Sequence, residues 1–132
     1  MQRRCPSSRF LTIANLPDYE FGITRHSRLR DCGTANVYPA LGQEVWGAVY
    51  DVSDADLFTM DGYEDGYHRE ILSVYAPDNS SQPLQVLVYV AAIESGVPPP
   101  NLEYKRLIIE GARHWNFPSS YIAMLETIQT GG

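Results

Sequence analysis

The chain has 132 residues, 44% of them hydrophobic, and carries a formal net charge of −6. Length and apolar content suit one domain over residues 1–132 with a real core, and exclude a disordered composition. The acidic balance and the lack of a long apolar run predict no nucleic-acid and no membrane partner, since phosphate contacts need clustered Lys/Arg and a bilayer span needs about 20 apolar residues.

In chain order, Met1 is followed by Gln2, Arg3 and Arg4, then by Cys-Pro-Ser-Ser rather than an apolar stretch. No signal peptide is read there, so a cytoplasmic location is expected. Cys5 and Cys32 are expected as reduced thiols, with a disulfide between them left open. Arg3, Arg4, Arg9, Arg25, Arg28 and Arg30 crowd the first thirty residues, against Asp18 and Glu20 alone. The surface preference of arginine predicts them on exposed faces of strands and turns.

Residues 10–14 (FLTIA) read as a short strand, 15–18 as a turn and 19–24 as a second strand. Residues 25–33 (RHSRLRDCG) are polar and irregular and read as a loop. Residues 34–37 suggest a small strand ended by Pro39. Residues 44–52 are the clearest strand, with Trp46, Ala48, Tyr50 and Val52 on one face and Val45, Gly47 and Val49 on the other. Apolar residues on both faces suit a barrel or a covered sheet. Ser53 is a good N-cap, with Asp56 at the capping-box position. A helix of about two turns follows, burying Leu57 and Met60 and limited by Gly62 and Gly66. Residues 67–76 and 84–92 read as strands of an antiparallel hairpin, joined by a polar turn over 77–83 with proline at both ends. The hairpin and residues 44–52 should share one bent, antiparallel-rich sheet. Pro98-Pro99-Pro100 is a stiff connector. Tyr104, Ile108, Gly111 and Trp115, with Leu107, fall on one helical face. Pro118-Ser119-Ser120 restarts a helix to about residue 128. The class is α+β: a bent mixed sheet or barrel, a short central helix and C-terminal helices.

The stretch 57–69 (LFTMDGYEDGYHR) carries the best candidate chemistry. It places one carboxylate, Glu64, at an element end among tyrosines, where a general acid/base is useful. The plain alternative is an acidic surface turn, because most glutamates are solvated. Tyr63, Tyr75, Tyr89 and Tyr121 read as core or rim residues. His26, His68, His114, Cys5 and Cys32 match no zinc spacing, so no metal site is expected. Nothing places either cysteine beside a histidine, and Gly42, Gly47, Gly62 and Gly66 form no phosphate loop.

Four segments, in order along nearly the whole chain, resemble the gamma-glutamylcyclotransferase-like family. They are Arg4-Cys5-Pro6, the strand Val45-Trp46-Gly47-Ala48-Val49-Tyr50, the run from Met60-Asp61-Gly62-Tyr63-Glu64 to Tyr67-His68-Arg69, and the tail Tyr104…Gly111-Ala112…Phe117-Pro118…Tyr121…Leu125. The resemblance implies a barrel-like fold and an intramolecular aminolysis. A γ-glutamyl group's own α-amine attacks its side-chain carbonyl, giving 5-oxoproline and a free amine or amino acid. It implies Glu64 as the general acid/base, with Tyr67 and Tyr104 lining the substrate site. Asp61 reads as a helix-end structural residue. No cofactor is needed, because there is no redox change and the nucleophile lies within the substrate.

The family's opening Tyr-Gly-Ser-Asn turn, an anion-binding device of backbone N–H groups, has no counterpart here. Met1 falls inside what should be the family's first helix. The expectation is a truncated or misplaced start; the alternative is a variant that has lost its first strand and its activity. Either way, part of the substrate cradle is expected to be missing. The rival functional reading is a non-catalytic relative, a small-ligand-binding or stress-response module. A further rival is another acyl transfer on γ-glutamyl compounds.

Overall fold

The structure is a computed structural model that describes residues 8–27, 32–63 and 67–131. Its elements run β1 (Arg9–Ser27), β2 (Cys32–Asp51), α1 (Asp54–Tyr63), β3 (His68–Ala76), β4 (Asn79–Val90), α2 (Leu102–His114) and α3 (Ser119–Glu126). The strands form one sheet of order β2-β1-β3-β4, with each neighbouring pair antiparallel. The expected common sheet for residues 44–52 and the later hairpin is therefore present. Among the described residues the ladders form this open series.

The N-terminal half is more continuous than its sequence suggests. The two short strands expected over 10–24 are one strand, and it includes Arg25, His26 and Ser27, which had read as loop. Likewise Thr34–Val37 and residues 44–52 belong to a single β2 that passes through Pro39. The expected turn at 15–18 is a bend within a ladder. Pro17 pairs with Glu44 and Tyr19 with Pro39, so the register slips around Asp18. Asp18 adopts φ 60°, a left-handed conformation that aspartate tolerates, and its carboxylate accepts the Gly42 N–H at 3.0 Å. A bulge of this kind bends a strand without ending it, and it is a place where Pro39 can sit without breaking a ladder.

The β3–β4 connection is also tighter than expected. Only Pro77 and Asp78 lie between the strands, and β4 begins at Asn79. The polar residues read as a turn over 77–83 lie mostly in β4. As an edge strand, β4 can carry Pro83 and solvated side chains without losing an essential ladder bond.

Ser53 caps α1 as expected, its hydroxyl accepting the Asp56 N–H at 3.1 Å. The helix has 10 residues, nearer three turns than two, because its backbone continues through Gly62. Leu57 is half-buried but Phe58 beside it is 81% exposed; the Met60 side chain lies outside the described part. Asn101 caps α2 by accepting the Tyr104 N–H at 2.8 Å. Ile108, Ile109 and Ala112 form the packed face of α2, whereas Leu107, expected there, is half-exposed. The inward stripe is simply rotated toward Ala112.

The core gathers Ala14, Leu16, Val45, Val74, Ala112, Tyr121 and Leu125. Both faces of residues 44–52 contribute: Val45 is buried, and on the opposite face the Trp46 ring lies 6.3 Å from Phe117. Tyr121 is buried against the sheet, and its hydroxyl is pushed up to about 12. Burial is the main cause, partly offset by a hydrogen bond with the Trp46 backbone and reinforced by the negative charge of Glu44.

Candidate functional site

At one end of the sheet, the start of β2 meets the segment before β3, the chain beyond β4 and the first turn of α2. Ala35, on β2, is where they join. The Tyr67 hydroxyl donates to the Ala35 carbonyl at 2.7 Å. The Tyr104 hydroxyl accepts the Ala35 N–H at 2.9 Å. Thr34 is buried beside them, its Oγ1 3.4 Å from the Tyr67 hydroxyl and 3.2 Å from the Arg25 carbonyl oxygen, to which it donates.

Local sequence explains the placement. Tyr67 enters β3 directly, so its ring is carried to the sheet end. Tyr104 is held in the first turn of α2 by the Asn101 cap. The two hydroxyls play opposite roles. Tyr67 gives its proton to the Ala35 carbonyl. Tyr104 receives the Ala35 N–H.

A charged pair stands beside them. Arg25 Nη1 lies 3.1 Å from Glu94 Oε2, and the guanidinium carbon lies 6.0 Å from the centre of the Tyr67 ring. Glu94 also accepts the His26 N–H at 3.1 Å, and its own N–H donates to the Thr24 carbonyl at 3.0 Å. The Arg25 contact first, then the His26 N–H, holds the Glu94 carboxyl below its ordinary range. The Arg25 side chain is only 19% exposed, contrary to the expected exposed position, whereas Arg9 is 73% exposed and meets Asp51 at the surface. The remaining arginines of that group, Arg3, Arg4, Arg28 and Arg30, lie outside the described residues.

Asn36, also on β2, is buried and makes three bonds: Nδ2 to Thr24 Oγ1 at 3.0 Å, Nδ2 to the Ala91 carbonyl at 2.8 Å, and Oδ1 from the Ala91 N–H at 2.9 Å. Gly33 leaves no space. A Cβ there would sit 2.1 Å from the Pro98 carbonyl oxygen and 2.6 Å from Ile23 Cγ2.

Of the residues singled out in the sequence, Tyr67 and Tyr104 are brought together on Ala35. Glu64 lies outside the described residues, as do Arg4, Cys5 and Pro6. Tyr75 and Tyr89 are half-buried and Tyr121 is a core residue. Cys32 is a buried free thiol. His68 pairs with Glu70 at 2.6 Å, and His114 packs edge-on to Trp115. Among the described residues no three His, Cys, Asp or Glu gather as metal ligands, and no helix is long and apolar enough to cross a membrane. An open groove of about 680 Å³, lined by Leu11, Thr12, Ala76 and Leu84 among others, lies at the β3–β4 turn. It is at the opposite end of β3 from Tyr67 and contains none of these groups.

Sequence reasoning missed Arg25, Ala35, Asn36 and Glu94. Arg25 had a usable signal. Tyr19, Phe21 and Ile23 alternate along β1 and Arg25 follows at the same spacing in the sequence, so a charge falls at the end of an apolar row and needs a partner; a bulge between Ile23 and Arg25 turns it to the other face.

The model of the AIG2-like family matches residues 44–125, which include Tyr67 and Tyr104. The human protein gamma-glutamylcyclotransferase is 26% identical over 133 residues, covering 96% of this chain and 70% of that protein. Its Bos taurus counterpart is 28% identical with the same coverage. A solved gamma-glutamyl cyclotransferase structure superposes with a TM-score of 0.87 at 25% identity, over 98% of this chain and 80% of its own. YkqA from Bacillus subtilis superposes at 0.69 over 92% of this chain and 46% of its own; at 18% identity it shows the shared fold alone. A family match over most of the chain, with a solved relative superposing over nearly all of it, makes this chain a member of the AIG2-like, gamma-glutamylcyclotransferase-like family.

Proposed function

We propose that this chain is a gamma-glutamylcyclotransferase-like enzyme that converts a γ-glutamyl amine or peptide to 5-oxoproline and a free amine. The observation that carries the reading is the meeting of the Tyr67 and Tyr104 hydroxyls on Ala35. Two side chains from segments far apart in sequence bring their hydroxyls to one backbone residue, and Glu64 lies three residues before one of them.

The chemistry asks little more of the protein. The substrate's α-amine must fold back onto its side-chain carbonyl, and ring closure is favoured once it does. Glu64 takes a proton from the α-ammonium, the amine nitrogen bonds to the carbonyl carbon, and the C–N bond to the leaving group breaks. The same carboxyl gives its proton to the departing nitrogen, then carries the second proton of the new ring nitrogen to the freed amine, which leaves as an ammonium. Tyr67 and Tyr104 line the place of the bound γ-glutamyl group. No cofactor enters this balance.

The test is direct. The purified chain is incubated with γ-glutamyl dipeptides and 5-oxoproline is measured by chromatography. Catalysed release supports the reading. Saturable dipeptide binding without release would instead identify a non-catalytic, ligand-binding member.

A further inference from the structure

We infer that Asn36 is a positioning residue of this site: its side-chain amide acts as a surrogate peptide group that fixes the chain beyond β4 against β2, and so holds Ala35 where it receives both tyrosines. The role in turnover rests on the cyclotransferase reading above; the role in placing the tyrosines does not.

The β3–β4 ladder ends with His68 paired to Val90. Ala91 is the next residue, and Asn36 takes over there. Its Oδ1 accepts the Ala91 N–H at 2.9 Å and its Nδ2 donates to the Ala91 carbonyl at 2.8 Å. That two-way exchange has the form of a hydrogen-bonded pair in an antiparallel ladder, made by a side chain. The second Nδ2 hydrogen goes to Thr24 Oγ1 at 3.0 Å. One buried amide thus ties β1, β2 and the exit of β4 together. An unmet partner in such a place is costly, so the three groups are held in one arrangement.

The coupling to the tyrosines is covalent and short. The Ala35 carbonyl that accepts from Tyr67 and the Asn36 nitrogen belong to the same planar peptide unit. A shift of Asn36 away from Ala91 turns that plane and moves the carbonyl, and with it the Ala35 N–H that anchors Tyr104. Three residues further on, Glu94 is bound to Thr24, Arg25 and His26, so the strand exit is secured on both sides of the amide.

The experiment compares Asn36→Ala with Val74→Ala. Val74 is buried in the core near the far end of β3, about 20 Å along the strand from Tyr67, so its truncation destabilises the fold without touching this cluster. Both variants carry fluorinated tyrosine, with the Tyr67 and Tyr104 resonances assigned from Tyr67→Phe and Tyr104→Phe. Asn36→Ala should shift or broaden both resonances and lower kcat about ten- to hundredfold, the scale of an ångström's misplacement, with KM nearly unchanged. Val74→Ala should leave both resonances and kcat in place. The inference is overturned if folded Asn36→Ala keeps its tyrosine resonances and kcat, or if Val74→Ala disturbs them as much. Should the parent chain release no 5-oxoproline, the cyclotransferase reading fails while the fluorine comparison still decides the placement. Should Asn36→Ala not fold, Thr24→Val, which removes one bond to the same amide, is read in the same way, and unmoved tyrosines there overturn the inference.

Discussion

Tyr67 and Tyr104 share one backbone residue as their common support: the first donates to the Ala35 carbonyl and the second accepts the Ala35 N–H. Because they lean on the same residue, they should not behave as independent groups. Tyr67→Phe and Tyr104→Phe are each expected to lower kcat/KM for a γ-glutamyl dipeptide. Tyr104→Phe also strands the Ala35 N–H and should cost about 1–3 kcal/mol of stability. The double variant should lose less than the sum of the singles, by about 0.5 kcal/mol or more. Strict additivity in a double-mutant cycle would argue against a shared anchor.

Glu64→Gln preserves size and polarity but removes proton transfer. Turnover should fall by about two to four orders of magnitude, the usual scale for a general acid/base. The thermal midpoint should stay near that of the parent. Activity retained within a few fold would remove Glu64 from the mechanism.

Gly33→Ala places a methyl group 2.1 Å from the Pro98 carbonyl oxygen, where backbone must move. The Gly33 N–H to Pro99 bond at 3.3 Å would be strained as well. A loss of about 1–3 kcal/mol is expected in denaturant unfolding. Gly47→Ala is the control, since a Cβ there meets nothing within 4 Å. Equal stability of the two variants would contradict the packing of the proline segment on β2.

Tyr121 predicts an alkaline weakness. Its folded-state value is raised to about 12, above the ordinary tyrosine value of 10. Its contribution is therefore fully present below pH 10 and is lost as pH rises toward 12, because the unfolded chain releases that proton first. The loss amounts to about 2–3 kcal/mol over that window. Calorimetry at pH 9 and pH 11.5 should show a larger drop for the parent than for Tyr121→Phe. A similar drop in both would assign the weakness to other tyrosines.

The elements written in local pattern were readable before the structure. Residues 44–52 alternate cleanly, Ser53 announces α1, and Tyr104, Ile108 and Trp115 mark α2. What was not readable depends on long-range pairing. Pro17-Asp18 looks like a turn because its residues favour one, yet the ladder with β2 continues past it through a bulge. Arg25 to Ser27 look like loop because they are polar, yet pairing with Cys32, Gly33 and Thr34 keeps them extended. The same limit governs the site. Tyr67 and Tyr104 could be named from their resemblance to a family pattern. Nothing local to Ala35 or Asn36 announces that five segments converge there, since a short alanine and an amide look the same on any strand.

Phe10 stacks on Trp115 with ring centres 4.1 Å apart and planes 11° from parallel. Trp115 is the residue that ends α2, so the pair fastens the opening of β1 to the last third of the chain. An indole in that position is an intrinsic optical gauge of docking: its emission should change when the C-terminal helices lift from the sheet. The second indole, Trp46, is partly buried on β2 near Phe117. Replacing either with phenylalanine leaves a one-probe protein. The two probes together could tell whether the helices leave before the sheet opens or with it, without any attached label.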